Sequence, residues 1–186
     1  MPDRARNSGE IMSNFIKRYI MPKDIFWFYK INCLKSYPIF NGLMHAVTRV
    51  FDVGVYSALI GLVFLGMIYT KASLTEPLML FSISQIITHV IKRLFGRDRP
   101  FAKLANVKLA ILPPKDVYSF PSGHTTAAVT LALMMGMWLP ATLPYFVLLA
   151  LLCGVSRVYL GVHYPTDVII GAFIPIMTKV AMKLFL

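Results

Sequence analysis

Of the 186 residues in this chain 57% are hydrophobic and 15% charged, where a soluble domain carries about a quarter charged residues, so the bilayer rather than water is the natural solvent. The length suits one domain, because about five or six membrane spans with short loops use nearly all of it. A formal net charge of +11 admits nucleic acid, an anionic membrane surface or an anionic substrate as partner; the absence of a nucleic-acid recognition module and the basic residues at expected membrane boundaries leave headgroups and phosphates.

Residues 1–21 read as a flexible basic arm, and its first part, Met1 to Asn14, lacks the apolar core of a cleaved signal peptide. From 22 to 40, Phe26, Trp27, Phe28 and Tyr29 are mixed with Lys23, Asp24, Lys30 and Lys35. That pattern is too charged to span but suits an amphipathic helix lying in the interface on aromatic anchors. Residues 1–40 therefore form an arm and interfacial segment, and 41–186 the membrane-embedded domain. The first span is expected from Val53 to Tyr69, with a start near Leu43 as the alternative. The second covers 78–95. A polar loop over 96–120 carries Pro100, Pro113 and Pro114, which forbid a continuous helix. The third span opens at Ser122 and stops before Pro140. The fourth covers 143–160, and Pro165 suits the first turn of a fifth that reaches Phe185. The fold class is thus all-α: a polytopic membrane helix bundle of about five transmembrane helices plus an N-terminal interfacial helix, with a six-span version as the alternative.

Some polar residues fit the bundle itself. Ser82, Ser84, Gln85, Thr88 and His89 are expected to face neighbouring helices, and His45 the interface. Cys153 reads as a small buried hydrophobe; Cys33 and Cys153 have neither metal-ligand spacing nor the look of a structural disulfide. Asp98, Asp116 and Asp167 are too scattered for a carboxylate cage, so no metal and no cofactor is expected.

Helices of an up-down bundle alternate direction, which puts the end of the second span, the start of the third, the end of the fourth and the start of the fifth on one face. Lys92, Arg93, Arg97 and Arg99 follow the second span. Ser122, Gly123 and His124 open the third, Ser156 and Arg157 close the fourth, and His163 and Asp167 open the fifth. Arg93, Arg97, Lys103, Lys108 and Lys115 read as boundary cations that snorkel. Arg157, ending an apolar helix, needs a partner, and a phosphate would serve. The Pro121–His124 turn offers a cap in Ser122, a bare backbone in Gly123 and the free amides of a helix N-terminus: an anion cradle. A carboxylate at Asp167 would fix the tautomer of His163 and leave its other nitrogen free to attack.

These residues resemble the type 2 phosphatidic acid phosphatase superfamily, which also includes vanadium haloperoxidases and some soluble acid phosphatases. Its first motif, Lys, six residues, Arg-Pro, is matched by Lys92, Arg99 and Pro100. Its second, Pro-Ser-Gly-His, is Pro121 to His124 unchanged, and its third is matched by Ser156, Arg157, His163 and Asp167. The match covers roughly residues 40–180. The resemblance implies that His163 attacks phosphorus and becomes a phosphohistidine, that Asp167 orients it, and that His124 protonates the leaving oxygen. It implies that Lys92, Arg99, Ser122, Gly123 and Arg157 hold the phosphate.

The expected activity is hydrolysis of a lipid phosphate or diphosphate, such as a polyprenyl diphosphate, phosphatidate or phosphatidylglycerophosphate, in a bacterial plasma membrane. The alternatives are a vanadate-dependent haloperoxidase and a non-catalytic lipid-phosphate binding or transport protein. Many bacterial relatives have six spans, and here the basic arm and aromatic segment stand in place of the first. The positive-inside rule puts the motif face in the cytoplasm, while bacterial relatives commonly work on the outer face, so the sequence leaves the side and the oligomeric state open.

Overall fold

The computed structural model describes residues 16–36, 38–109, 111, 114 and 116–185. Residues 1–15 of the expected basic arm, Pro113 and Lys115 lie outside them, while Ile16–Ile20 of that arm form one π-helical turn leading into the first α-helix. Eight α-helices run through the described residues: α1 (Met21–Asn32), α2 (Pro38–Val50), α3 (Val53–Tyr69), α4 (Thr75–Phe95), the short α5 (Pro100–Lys103), α6 (Gly123–Trp138), α7 (Leu143–Tyr159) and α8 (Pro165–Phe185). Among these residues there is no β-strand, only an isolated bridge between Asp98 and Tyr118. The class is the all-α membrane bundle expected.

Helix α6 is the axis of the bundle, packed against α4, α7 and α8. Its sequence explains that place. Thr125, Thr126, Ala127, Ala128, Thr130, Leu131 and Ala132 are buried in succession, so the helix is covered on nearly every side. Small residues let neighbouring backbones come close. The threonine hydroxyls are spent inside: Thr130 Oγ1 donates to the Thr126 carbonyl at 2.8 Å, and Thr126 Oγ1 to that of Gly171 at 3.0 Å. Exposed apolar residues such as Leu62, Leu65, Ile86, Leu151 and Phe173 face outward, as lipid-facing positions do.

By length and apolarity three described stretches can cross a membrane: Thr75–Phe95, Pro140–Tyr159 and Pro165–Phe185. The pair Ile39–Val50 and Gly54–Tyr69, bent by 55°, adds a fourth if it is one span. Five separate spans were expected. The difference lies in α3 and α6, which have 17 and 16 residues and so reach only about 24–26 Å of a roughly 30 Å hydrocarbon core.

The segment around α1 is a helix, as its pattern predicts, with Pro22 in its first turn. It also backs the bundle. Phe28 is fully buried with its ring 5.8 Å from that of Tyr164, and Asn32 Nδ2 donates to the Tyr159 carbonyl at 2.8 Å. Phe26 and Trp27 stay exposed, as interfacial anchors would.

Candidate active site

Four chain segments meet at one end of the bundle around a cavity of about 620 Å³. Lys92, Arg99, Gly123, His124, Arg157 and His163 all line it. The two imidazoles therefore share one face, as helix parity requires.

The loop after α7 carries His163. Gly161, at φ +84°, turns the chain there in a conformation that side-chain-bearing residues rarely adopt. His163 is 1% exposed. Its Nε2 lies 3.2 Å from Arg99 Nη1, which also donates to the Val162 carbonyl at 3.0 Å. A guanidinium only donates, so this contact requires the lone pair on Nε2 and puts the ring proton on Nδ1. Nδ1 faces Asp167 Oδ2 at 3.5 Å, the outer limit of a hydrogen bond and not aligned as one. Burial first, then the charges of Arg99, Arg157 and Lys92, hold the His163 imidazole well below its ordinary 6.5, so it is neutral.

Asp167 is fixed from several sides. Its Oδ2 accepts from the Tyr164 amide at 2.8 Å and its Oδ1 from Arg97 Nη1 at 2.7 Å. Arg97 Nη2 in turn donates to Asp24 Oδ2 at 2.6 Å. Asp24 also accepts from the Thr166 amide at 3.0 Å and the Thr166 hydroxyl at 2.6 Å. The sequence reading of Arg97 as a snorkelling cation is therefore wrong. Two buried carboxylates one side chain away hold it, and its guanidinium lies 3.9 Å over the Tyr164 ring. Lys103 does fit that reading, 63% exposed and 3.1 Å from Asp98.

His124, lining the same cavity, has Nε2 3.1 Å from Asp52 Oδ1. Asp52 precedes α3 as its N-cap residue but makes no side-chain cap, and its carboxylate goes to the histidine instead. Sequence reasoning missed Asp52, although a lone acid at the mouth of an apolar helix on the motif face was a usable signal. His89, expected as a packed bundle residue, is exposed and lines the cavity.

The Ser122 turn is set by α8. The Ser122 amide donates to the Asp167 carbonyl at 2.9 Å, and a Cβ on Gly171 would stand 2.6 Å from the Ser122 carbonyl oxygen. Glycine alone permits that approach. Ser122 is fully buried, and its Oγ caps α6, accepting from the Thr125 amide at 3.4 Å and the Thr125 hydroxyl at 2.9 Å. A Cβ on Gly123 would meet nothing within 4 Å, which leaves the helix N-terminus open on the cavity side.

The cations are held by local partners. Lys92 pairs with Asp116, which also lies 3.7 Å from Arg99 Nη2. Burial pushes the Asp116 carboxyl up, but the Lys92 bond and charge, the Tyr118 amide and Arg99 outweigh it and leave the group below the usual carboxylate range. Arg157 is 2% exposed; Nη1 donates to the Thr48 hydroxyl, while Nε has no partner among the described residues. Cys33 is exposed and Cys153 buried. Among the described residues no three His, Cys, Asp or Glu side chains form a group able to hold a metal ion.

The sequence pattern of the family described as the PAP2 superfamily matches residues 73–185. The chain is 30% identical over 148 residues to phosphatidylglycerophosphatase B of Bacillus subtilis (strain 168), covering 72% of this chain and 69% of that protein. It is 38% identical over 95 residues to an undecaprenyl-diphosphatase of Sulfolobus acidocaldarius, 49% of this chain and 44% of the other. It is 33% identical over 98 residues to the bacitracin transport permease protein BcrC of Bacillus licheniformis, 53% of this chain and 48% of the other. The chain thus spans about half the length of the last two relatives. Aquifex aeolicus LpxE superposes with a TM-score of 0.74 at 26% identity, over 87% of this chain and 94% of that one. The PAP2-type phosphatidylglycerolphosphate phosphatase of Bacillus subtilis shares the fold, with a TM-score of 0.72 at 23% identity over 94% and 91%.

Proposed function

The chain belongs to the PAP2 superfamily and is an integral, multi-pass membrane protein, and on that footing we propose that it hydrolyses a lipid phosphate or diphosphate through a phosphohistidine. One observation carries the reading: His163 Nε2 presents a lone pair to the cavity wall that holds Arg99, with His124 lining the same cavity. A neutral, buried imidazole whose Nδ1 proton points at a fixed carboxylate is a nucleophile.

In the first half-reaction His163 Nε2 attacks phosphorus. The P–N bond forms as the P–O bond to the lipid breaks, and His124 gives its proton to the departing oxygen. Asp167 shortens its 3.5 Å approach to Nδ1 as the ring becomes positive. Lys92, Arg99, Arg157 and the open N-terminus at Gly123 take the oxygens of the transferring group. Ser122, fully buried, serves that set by capping the helix whose N-terminus opens at Gly123. Asp116 stands among these cations as a carboxylate, the charge type that a phosphate oxygen would replace beside Lys92. In the second half-reaction water attacks phosphorus, His124 accepts its proton, and the P–N bond breaks to release orthophosphate.

The reading uses no metal: the positive charge that phosphoryl transfer needs comes from three side chains and a helix end. Binding or transport alone would not need His124 held by Asp52. The substrates in keeping with the relatives are polyprenyl diphosphates and glycerolipid phosphates. The test is phosphate release from lipid substrates by the purified protein in detergent with EDTA present. Release that persists with EDTA and vanishes in His163→Ala supports the proposal; release that survives that substitution ends it.

A further inference from the structure

Buried polar side-chain atoms without a partner are rare in folded proteins, and where they gather they mark a place that something else completes. Five such atoms occur among the described residues: Tyr56 Oη, Ser84 Oγ, Gln85 Nε2, Arg157 Nε and His163 Nδ1. Four of these five residues line the 620 Å³ cavity, and only Ser84 does not.

The four fall into two groups. Arg157 and His163 belong to the phosphoryl cradle. Tyr56 and Gln85 do not. Gln85 lies seven residues before Lys92 on α4, about 10 Å along the helix axis at 1.5 Å per residue. Tyr56 lies on α3 one turn past Asp52, the residue that holds His124. Its ring packs 6.2 Å from Phe51 and 6.3 Å from Phe81, one turn before Gln85. Tyr56 is 8% exposed. A single tetrahedral group held between Lys92 and Arg99 cannot also reach a point two helical turns away. Both unmet atoms can donate, so the group that meets them accepts. His89, one turn from Gln85 and also at the cavity, adds a third polar side chain to that stretch.

We infer that Tyr56 and Gln85 form a second subsite, on the leaving-group side of His124, for a second phosphoryl group in the substrate headgroup. The inference rests on the phosphatase reading and narrows it to headgroups with two phosphoryl groups. Phosphoryl oxygens supply acceptors without donors, which matches the unmet N–H and O–H. Phe51, Phe81 and Ala127, in the same wall, lead from that subsite toward an apolar tail. Two lipids carry this chemistry: a diphosphate, through its inner phosphate, and a glycerophosphate headgroup, through its inner phosphodiester.

The experiment measures kcat/KM for two matched pairs, a prenyl monophosphate with its diphosphate and a phosphatidate with its phosphatidylglycerophosphate. It compares wild type with the Tyr56→Phe, Gln85→Leu double variant. The variant is expected to lower the preference for the two-phosphoryl member by at least about tenfold in one pair, because the substrate loses its buried donors. The pair affected identifies the source. Preferences that stay within about threefold of wild type in both pairs overturn the subsite. Each single variant is also melted in detergent. Since the hydroxyl and the amide are unpaired in the free protein, Tm holds within about 2 °C, and a larger fall means that the atom already has a partner and overturns the premise. Wild type that releases phosphate from none of the four lipids sinks the phosphatase reading itself.

Discussion

At the scale of single residues the two histidines of the cavity are set apart by their neighbours. His163 has its lone pair beside Arg99 and its proton toward Asp167, whereas His124 faces the Asp52 carboxylate. If His124 is the proton donor, His124→Ala lowers kcat on a lipid substrate by about 10²–10⁴. The loss shrinks on an aryl phosphate whose leaving oxygen needs no proton, and steady-state assays on both substrates check this. The depressed pKa of His163 has a second consequence. The unfolded chain protonates this ring near 6.5 while the folded protein keeps it neutral, so the unfolded state binds more protons and stability rises with pH. The contribution is full above about 6.5 and is lost as pH falls from there toward the lowered folded value. Melting curves taken from about pH 7.5 down to about pH 5 therefore show a falling Tm, with a shallower slope in His163→Gln. The motif residues were legible in the sequence because their spacing is local. The pairing of Asp24 with Arg97 was not, since the two meet across more than seventy residues and carry no pattern of their own; Asp52 showed only as a lone acid before an apolar helix, and its partner His124 is as far away in the chain.

Among the elements, α1 matters more than its interfacial character suggests. Through Asp24 and Arg97 it braces Asp167, and so the ring of His163. Asp24→Asn is expected to lower kcat by roughly tenfold with little change in KM, because Lys92, Arg99 and Arg157 are untouched while the ring proposed as nucleophile loses its alignment. Arg97→Met removes the cation between two buried carboxylates and costs roughly 3–5 kcal/mol, readable as a lower midpoint in denaturant. The contact between α6 and α8 is equally tight: with only 2.6 Å to the Ser122 carbonyl, Gly171→Ala displaces the turn that carries His124. That variant keeps its helical circular dichroism and loses activity. Helix positions could be read from apolar runs bounded by Pro140 and Pro165. The bend between α2 and α3 could not, because the apolar pattern runs on across the break at Phe51 and Asp52.

For the whole molecule, the helix order and the up-down alternation were enough to foresee that four segments converge, and the shared cavity is that convergence. The span count was less legible. Helix α6 is short for a membrane crossing, yet it is the bundle's axis; its apolarity answers to protein neighbours as much as to lipid. The account depends most on His163 as the group that takes the phosphoryl. Rapid quenching of the enzyme with a ³²P-labelled lipid substrate, followed by peptide mapping, tests this directly. The expected result is an acid-labile, base-stable phosphoryl group on His163 in the wild-type enzyme, and no label in His163→Ala. Label on any other residue, or turnover with no labelled protein at any quench time, would contradict it.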